Sequence, residues 1–179
     1  MMRSRERLLG TAGAAYAIAG LALLVGSNHP AAAATVVNTF NGWTLYGDAA
    51  AGPICFVAGP PSASVPTDVQ RQQGLLYVSA WPKDGVKAEI SVKLGFPARK
   101  ASDTILSITG QTSATFKLAV TDDRAFVTDA TQELKLLDAM KKGSKLTVQA
   151  VSDHGVTVTD TYSLQGITAA LQALGSGCP

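Results

Sequence analysis

Short stretches in which apolar and polar residues alternate recur along this chain at intervals of roughly 8 to 12 residues, each closed by Gly, Pro or Asp. A period of two sends successive side chains to opposite faces of an extended strand, so such a chain builds sheets with one apolar and one wet face. The clearest instance is Val86 to Leu94, where Val86, Ala88, Ile90, Val92 and Leu94 alternate with Lys87, Glu89, Ser91 and Lys93. Further strands are expected at Gly42 to Gly47, Pro53 to Ala58, Leu75 to Trp81, Thr104 to Ile108, Ala114 to Val120, Arg124 to Thr128, Lys145 to Val151 and Val156 to Tyr162. Pro82-Lys83-Asp84-Gly85 and Ser152-Asp153-His154-Gly155 have the composition of hairpin turns. Residues 35 to 41 read as a loose opening segment. Ser62 to Gln73 is polar, contains proline and has no period, and reads as an exposed loop.

Two segments carry helical signals instead. Thr131 is a candidate N-cap followed by Glu133, then Leu134, Leu137 and Met140 on one face, Lys141 and Lys142 in the last turn, and Gly143 beyond. Acid near the start and base near the end complement the helix dipole. A second amphipathic helix, beginning at Ser163 or Gln165, carries Ile167, Ala170, Leu171 and Leu174 before a flexible Gly175-Ser176-Gly177. The expected fold is all-β, an antiparallel β-sandwich or barrel with two short helices over its open ends or edges.

The first 34 residues stand apart. Arg3, Arg5 and Arg7 precede an apolar run from Leu8 to Val25, and Ala31 to Ala34 supply small residues for a peptidase, which together read as a secretory leader removed after export. The run contains Gly10, Thr11, Gly13 and Gly20 and is followed by Pro30, a poor match to the roughly 20 strongly apolar residues of a spanning helix. Lipid attachment would need a cysteine at the cleavage point, and the first cysteine is Cys55. The expected organisation is therefore a cleaved leader, residues 1–34, and one mature domain, residues 35–179, with no integral membrane segment. Loss of Arg3, Arg5, Arg7 and Glu6 with the leader leaves equal numbers of basic and acidic residues, which removes any electrostatic case for nucleic acid.

Cys55 and Cys178 are the two cysteines, and an exported chain meets them in a compartment where disulfides persist. No Cys-x-x-Cys pair suggests redox work. Catalytic signatures are also missing: no Gly-x-Ser-x-Gly, Ser-x-x-Lys or His-Glu-x-x-His occurs in the mature chain, and His154 is its sole histidine. Asp122, Asp123 and Asp129 offer hard oxygen ligands but match no EF-hand spacing. Thr35 becomes an N-terminal nucleophile only in name, being an ordinary mature terminus. No metal, cofactor or catalytic residue is expected. Among the aromatic residues Trp43, Tyr46, Tyr77 and Trp81, inward positions would fill the core and outward ones would make a contact surface. Trp43, Tyr77 and Trp81 are the candidate binding surface.

Leu136-Leu137-Asp138-Ala139-Met140-Lys141-Lys142-Gly143, then Leu146-Thr147-Val148, then Asp160-Thr161-Tyr162-Ser163-Leu164-Gln165-Gly166 with Ala169-Ala170-Leu171 and a final cysteine, resembles the invasion associated locus B family. Gly42-Trp43, Cys55 and Glu89-Ile90-Ser91 are similar to its N-terminal half. The resemblance implies a small exported β-rich protein of alphaproteobacteria, periplasmic or envelope-associated, in a family named for a member linked to invasion of red blood cells. It implies no established catalytic residues. The expected function is non-enzymatic binding of a protein or envelope component in the periplasm or outer envelope. Alternatives are a surface adhesin contacting host cells, or a hydrolase with an acidic or metal site.

The cysteine pair makes a direct prediction. Cys55→Ser is expected to leave Cys178 alkylatable and to lower the melting temperature, by an amount consistent with about 2 to 5 kcal/mol. Alkylation followed by mass spectrometry, beside calorimetry of both single variants, checks it.

Overall fold

The computed structural model describes residues 34–47, 55–81 and 85–177. The leader up to residue 33, the turn at 82–84 and Cys178 lie outside the described residues.

Eleven strands and two helices follow in the order β1 (Thr35–Phe40), β2 (Trp43–Gly47), β3 (Cys55–Gly59), β4 (Ala63–Val65), β5 (Leu75–Trp81), β6 (Val86–Lys93), β7 (Thr104–Gly110), β8 (Ala114–Thr121), β9 (Arg124–Phe126), α1 (Ala130–Lys142), β10 (Gly143–Val151), β11 (Thr157–Ser163) and α2 (Ile167–Gly177). The strands form one sheet in the order β1-β2-β3-β5-β6-β9-β8-β7-β10-β11-β4, curled into a half-barrel. The named strands pair antiparallel throughout. Strand β8 makes the bend. Ala114 to Leu118 pair with β7, whereas Ala119 to Thr121 pair with β9, so one strand passes from the second layer (β4, β7, β10, β11) into the first (β1, β2, β3, β5, β6, β9). At the opposite end the chain crosses back through Gly59-Pro60-Pro61-Ser62 into β4, where prolines that donate no ladder bond let it leave the sheet.

Apolar faces of both layers meet inside. Leu76, Val78 and Ala80 of β5, Ile90 and Val92 of β6, Leu106 and Ile108 of β7, and Leu146, Val148 and Ala150 of β10 are all buried. Helix α1 packs on β7, β8 and β10, α2 packs on β1, β2, β3 and β5, and the two helices touch. The face of α1 differs from the expected one. Asp129, not Thr131, is the N-cap, its carboxylate accepting the amide of Gln132 at 2.8 Å. Leu136, Ala139 and Met140 are buried, while Leu134 lies on nearly the opposite side at about 100° per residue and is 68% exposed. Gly143 then passes straight into β10 in an extended conformation. A side chain there would lie 2.5 Å from Ile108 Cγ2 and 2.8 Å from Leu164 Cδ1, so glycine is required for close approach. Helix α2 continues through Gly175, Ser176 and Gly177 where a flexible tail was expected, and Ser176 Oγ donates to the Gln172 carbonyl at 2.9 Å.

Two other segments depart from the sequence reading. Residues 35 to 40 form β1, joined to β2 by Asn41-Gly42, both with positive φ, the two-residue hairpin turn that this dipeptide favours. Part of the stretch from Ser62 to Gln73 forms β4, and the rest buries an arginine. Arg71 ion-pairs with Asp160 of β11, their side chains 9% and 3% exposed. Its Nη1 donates to Asp160 Oδ2 at 2.9 Å and to the Leu94 carbonyl at 2.5 Å, and its Nη2 donates to Asp160 Oδ1 and to Ser64 Oγ. Ser64 Oγ in turn donates to Asp160 Oδ1 at 2.7 Å, and the guanidinium lies 5.7 Å from the centre of the Phe96 ring. Polar composition suggested a solvated loop because sequence shows the arginine but not the carboxylate waiting for it 89 residues away.

Removing one partner of this buried pair leaves the other charge uncompensated. Asp160→Ala or Arg71→Ala is expected to cost about 3 to 5 kcal/mol, and the paired replacement Arg71→Met with Asp160→Leu far less. Urea denaturation of the three variants checks this. A smaller pH effect comes from Glu133, whose Oε1 accepts the Ile90 amide at 2.8 Å and whose carboxyl is raised above 4.5 chiefly by burial. The folded state holds this proton to higher pH than the unfolded one, so the contribution to stability is present at low pH and is lost as pH rises through the folded pKa. Glu133→Gln is expected to flatten the stability profile just above pH 4.5, as read by denaturation midpoints.

Candidate functional site

Alternation along β2, β3 and β5 determines which side chains face outward. On β5, Leu76, Val78 and Ala80 enter the core, leaving Leu75, Tyr77, Ser79 and Trp81 half-buried on the outer face. On β3, Cys55 and Val57 point inward and Phe56 outward; on β2, Trp43 and Leu45 point inward and Tyr46 outward. Register then assembles a ladder. Tyr46 sits directly opposite Phe56, and their rings stack at 4.8 Å with planes 16° apart. Tyr77 lies diagonally from Phe56, because Phe56 pairs with Ser79 and Tyr77 with Ala58, and those rings meet at 5.9 Å and 55°. Cross-strand aromatic neighbours of this kind are within contact range in antiparallel sheets.

The Phe56–Tyr77 ridge separates two shallow hollows. One, of about 250 Å³, is walled by Tyr46, Phe56 and Tyr77 and floored by Thr44, Ala58 and Leu75, with Pro60 at its end. The other, of about 240 Å³, lies between the ridge and Trp81, with Ser79 and Ser91 inside and Glu89 and Arg124 at the rim. Burial raises the Tyr77 phenol above its ordinary 10.0.

Trp43 does not share this face. It is 2% exposed, its indole N–H donates to the Ser163 carbonyl at 3.0 Å, and a side chain on Gly59 would lie 2.8 Å from its ring. Of the three expected surface aromatics, Tyr77 and Trp81 are outward and Trp43 is a core residue joining the two layers. Phe56 was missed. Its signal is the inward–outward–inward order of Cys55, Phe56 and Val57, which is hard to read in a segment that is apolar throughout.

The other candidates scatter. His154 is an exposed turn residue, Asp129 caps α1, and the turn at Asp122 and Asp123 serves through its backbone, whose carbonyls accept the amides of Ala98 and Leu94. Thr35 lies in β1, its hydroxyl bonded to the Gly47 carbonyl at 2.8 Å. Among the described residues, no three His, Cys, Asp or Glu side chains gather as metal ligands, and no helix is long and apolar enough to cross a membrane. Cys55 is buried at the start of β3, against which α2 packs, and α2 ends at Gly177, immediately before Cys178.

A family model described as Invasion associated locus B (IalB) protein matches residues 53–175. No curated protein and no solved structure matches the chain.

If the outer aromatics serve contact and not folding, truncating them is tolerated. Tyr77→Ala is expected to cost about 1 kcal/mol or less, whereas Leu76→Ala on the opposite face of the same strand costs about 2 to 5 kcal/mol. Thermal denaturation of the two variants separates the faces.

Proposed function

The chain belongs to the invasion associated locus B family, and on that premise we propose that it is an exported, non-enzymatic envelope protein that binds another protein or an envelope component through Tyr46, Phe56, Tyr77 and Trp81. The observation carrying this reading is the aromatic ladder on the outer face of β2, β3 and β5, where large rings stand half-buried, while Ile167, Ala170 and Leu174 of α2 lie in the core cluster behind those strands. Rigid rings immobilised by their neighbours lose little side-chain entropy on binding, which is why such residues dominate contact surfaces. The leader read from residues 1–34 supports export to the periplasm or outer envelope. A Cys55–Cys178 disulfide belongs to the same reading. It would fasten the end of α2 to β3, and the packing of that helix on that strand supports it.

Two cellular measurements test the proposal. A photocrosslinking side chain at Ser79, in the second hollow, is expected to give a discrete adduct in intact cells, and one at Thr147 on the outer face of β10 is not. Equal labelling from both positions, or none from Ser79, would count against the aromatic face. The protein is expected to resist added protease until the outer membrane is opened, and digestion in intact cells would favour a surface adhesin.

A further inference from the structure

We propose that the hollow between the Phe56–Tyr77 ridge and Trp81 takes a small zwitterion, a quaternary ammonium joined to a phosphate as in phosphocholine, an inference that rests on the reading of the aromatic face as the binding surface. The placement of charge is the first argument. Strand register sets Glu89 of β6 directly opposite Ser79, and Arg124 of β9 directly opposite Lys93, so the acid and the base come to one hollow from rows four residues apart on β6. Four strand residues span about 13 Å. Each charge has a neighbour of its own sign. Glu133 of α1 accepts the amide of Ile90, the residue after Glu89, and Lys93 stands beside Arg124 across the β6–β9 pairing. Neither Glu89 nor Arg124 forms an ion pair among the described residues. The hollow is therefore negative toward one end of β6 and positive toward the other, the complement of a ligand that carries both charges.

The wall chemistry is the second argument. Phe56, Tyr77 and Trp81 line the hollow together with the Glu89 carboxylate. Aromatic faces attract a cation through their quadrupole, and a quaternary ammonium, which has no N–H to satisfy, is the cation best held by rings and one nearby carboxylate. A primary ammonium keeps three donors and a tight shell of water, and suits an aromatic wall less well. At the other end Arg124 presents a planar fork of donors, which matches the oxygens of a phosphate, and the Ser91 hydroxyl lies in the hollow nearby. The two-carbon linker between the charges of phosphocholine lets one small ligand meet both ends of a hollow of about 240 Å³.

The test is titration of the chain purified after export with phosphocholine, choline and inorganic phosphate, followed by amide chemical shifts. Saturable shifts at Ser79, Glu89, Ser91 and Arg124 are expected with phosphocholine, and about tenfold weaker binding of phosphoethanolamine, which keeps the phosphate and lacks the methyl groups. Glu89→Gln is expected to weaken phosphocholine and choline alike, whereas Arg124→Gln weakens phosphocholine about tenfold and leaves choline unchanged. That split belongs to a ligand lying across both charges and does not follow from a loss of folding. No saturable binding of phosphocholine, equal affinity for inorganic phosphate alone, or binding unaffected by Glu89→Gln overturns the proposal. Sedimentation with phosphatidylcholine vesicles assigns the zwitterion to a lipid head group, and binding of phosphocholine without sedimentation assigns it to a free solute. If phosphocholine fails while the Ser79 crosslinker still gives its adduct in cells, the ligand class falls and the surface stands. Failure of both removes the surface reading as well.

Discussion

The buried ion pair between Arg71 and Asp160 is the constraint on which the arrangement of the two layers depends. Asp160 belongs to β11 in the second layer, the Leu94 carbonyl follows β6 in the first, and Ser64 sits on the short strand β4; a single guanidinium bonds all three. Taking two charges out of water is costly unless every donor and acceptor is matched, and here the fork of the arginine fits a carboxylate bidentately while Ser64 bonds one of the same oxygens. The segment from Gln72 to Leu75 is pressed around this pair. A side chain on Gly74 would lie 2.9 Å from Asp160 Oδ2, and Gly95, at φ +78°, lets the backbone turn against the Gln72 carbonyl. The network joins both layers and the short strand β4 through one buried guanidinium.

Closure at that seam has a consequence at the opposite surface. Because β8 bends from one layer into the other and β4 returns on the far side, the apolar faces of all the long strands turn inward. Helices α1 and α2 lie against the sheet, and Trp43 secures β2 to the end of β11 through its indole. The outer face of β2, β3 and β5 carries three rings in contact, Tyr46 stacked on Phe56 and Tyr77 tilted against it. Burial of Val57, Leu76 and Val78 behind them holds the strands in register, so the ladder is presented on rigid backbone and not on loops.

Much of this was legible residue by residue. Period-two alternation located β5, β6, β10 and β11, because each has one wet and one buried face, and the charge asymmetry of α1 marked its ends. The helix face was misjudged, since Leu134 satisfies a helical spacing but points away from the sheet. Residues 35 to 40 lacked a clean pattern because β1 is exposed on both sides, although Asn41-Gly42 carried the hairpin signal. For the candidate site, alternation separated Tyr77 and Trp81 from Leu76 and Val78, but gave no sign of which face was the core.

Sequence alone determined the strand-rich character, the family likeness and the expectation of export, since these depend on periodicity, motif and a leader that act locally along the chain. Tertiary structure decided the rest. The burial of Trp43, the recruitment of Phe56 between Tyr46 and Tyr77, and the pairing of Arg71 with Asp160 each join residues distant in sequence, through strand register and layer closure. Such contacts are set by which surfaces meet when the sheet curls, and that geometry is a property of the whole fold and not of any single segment.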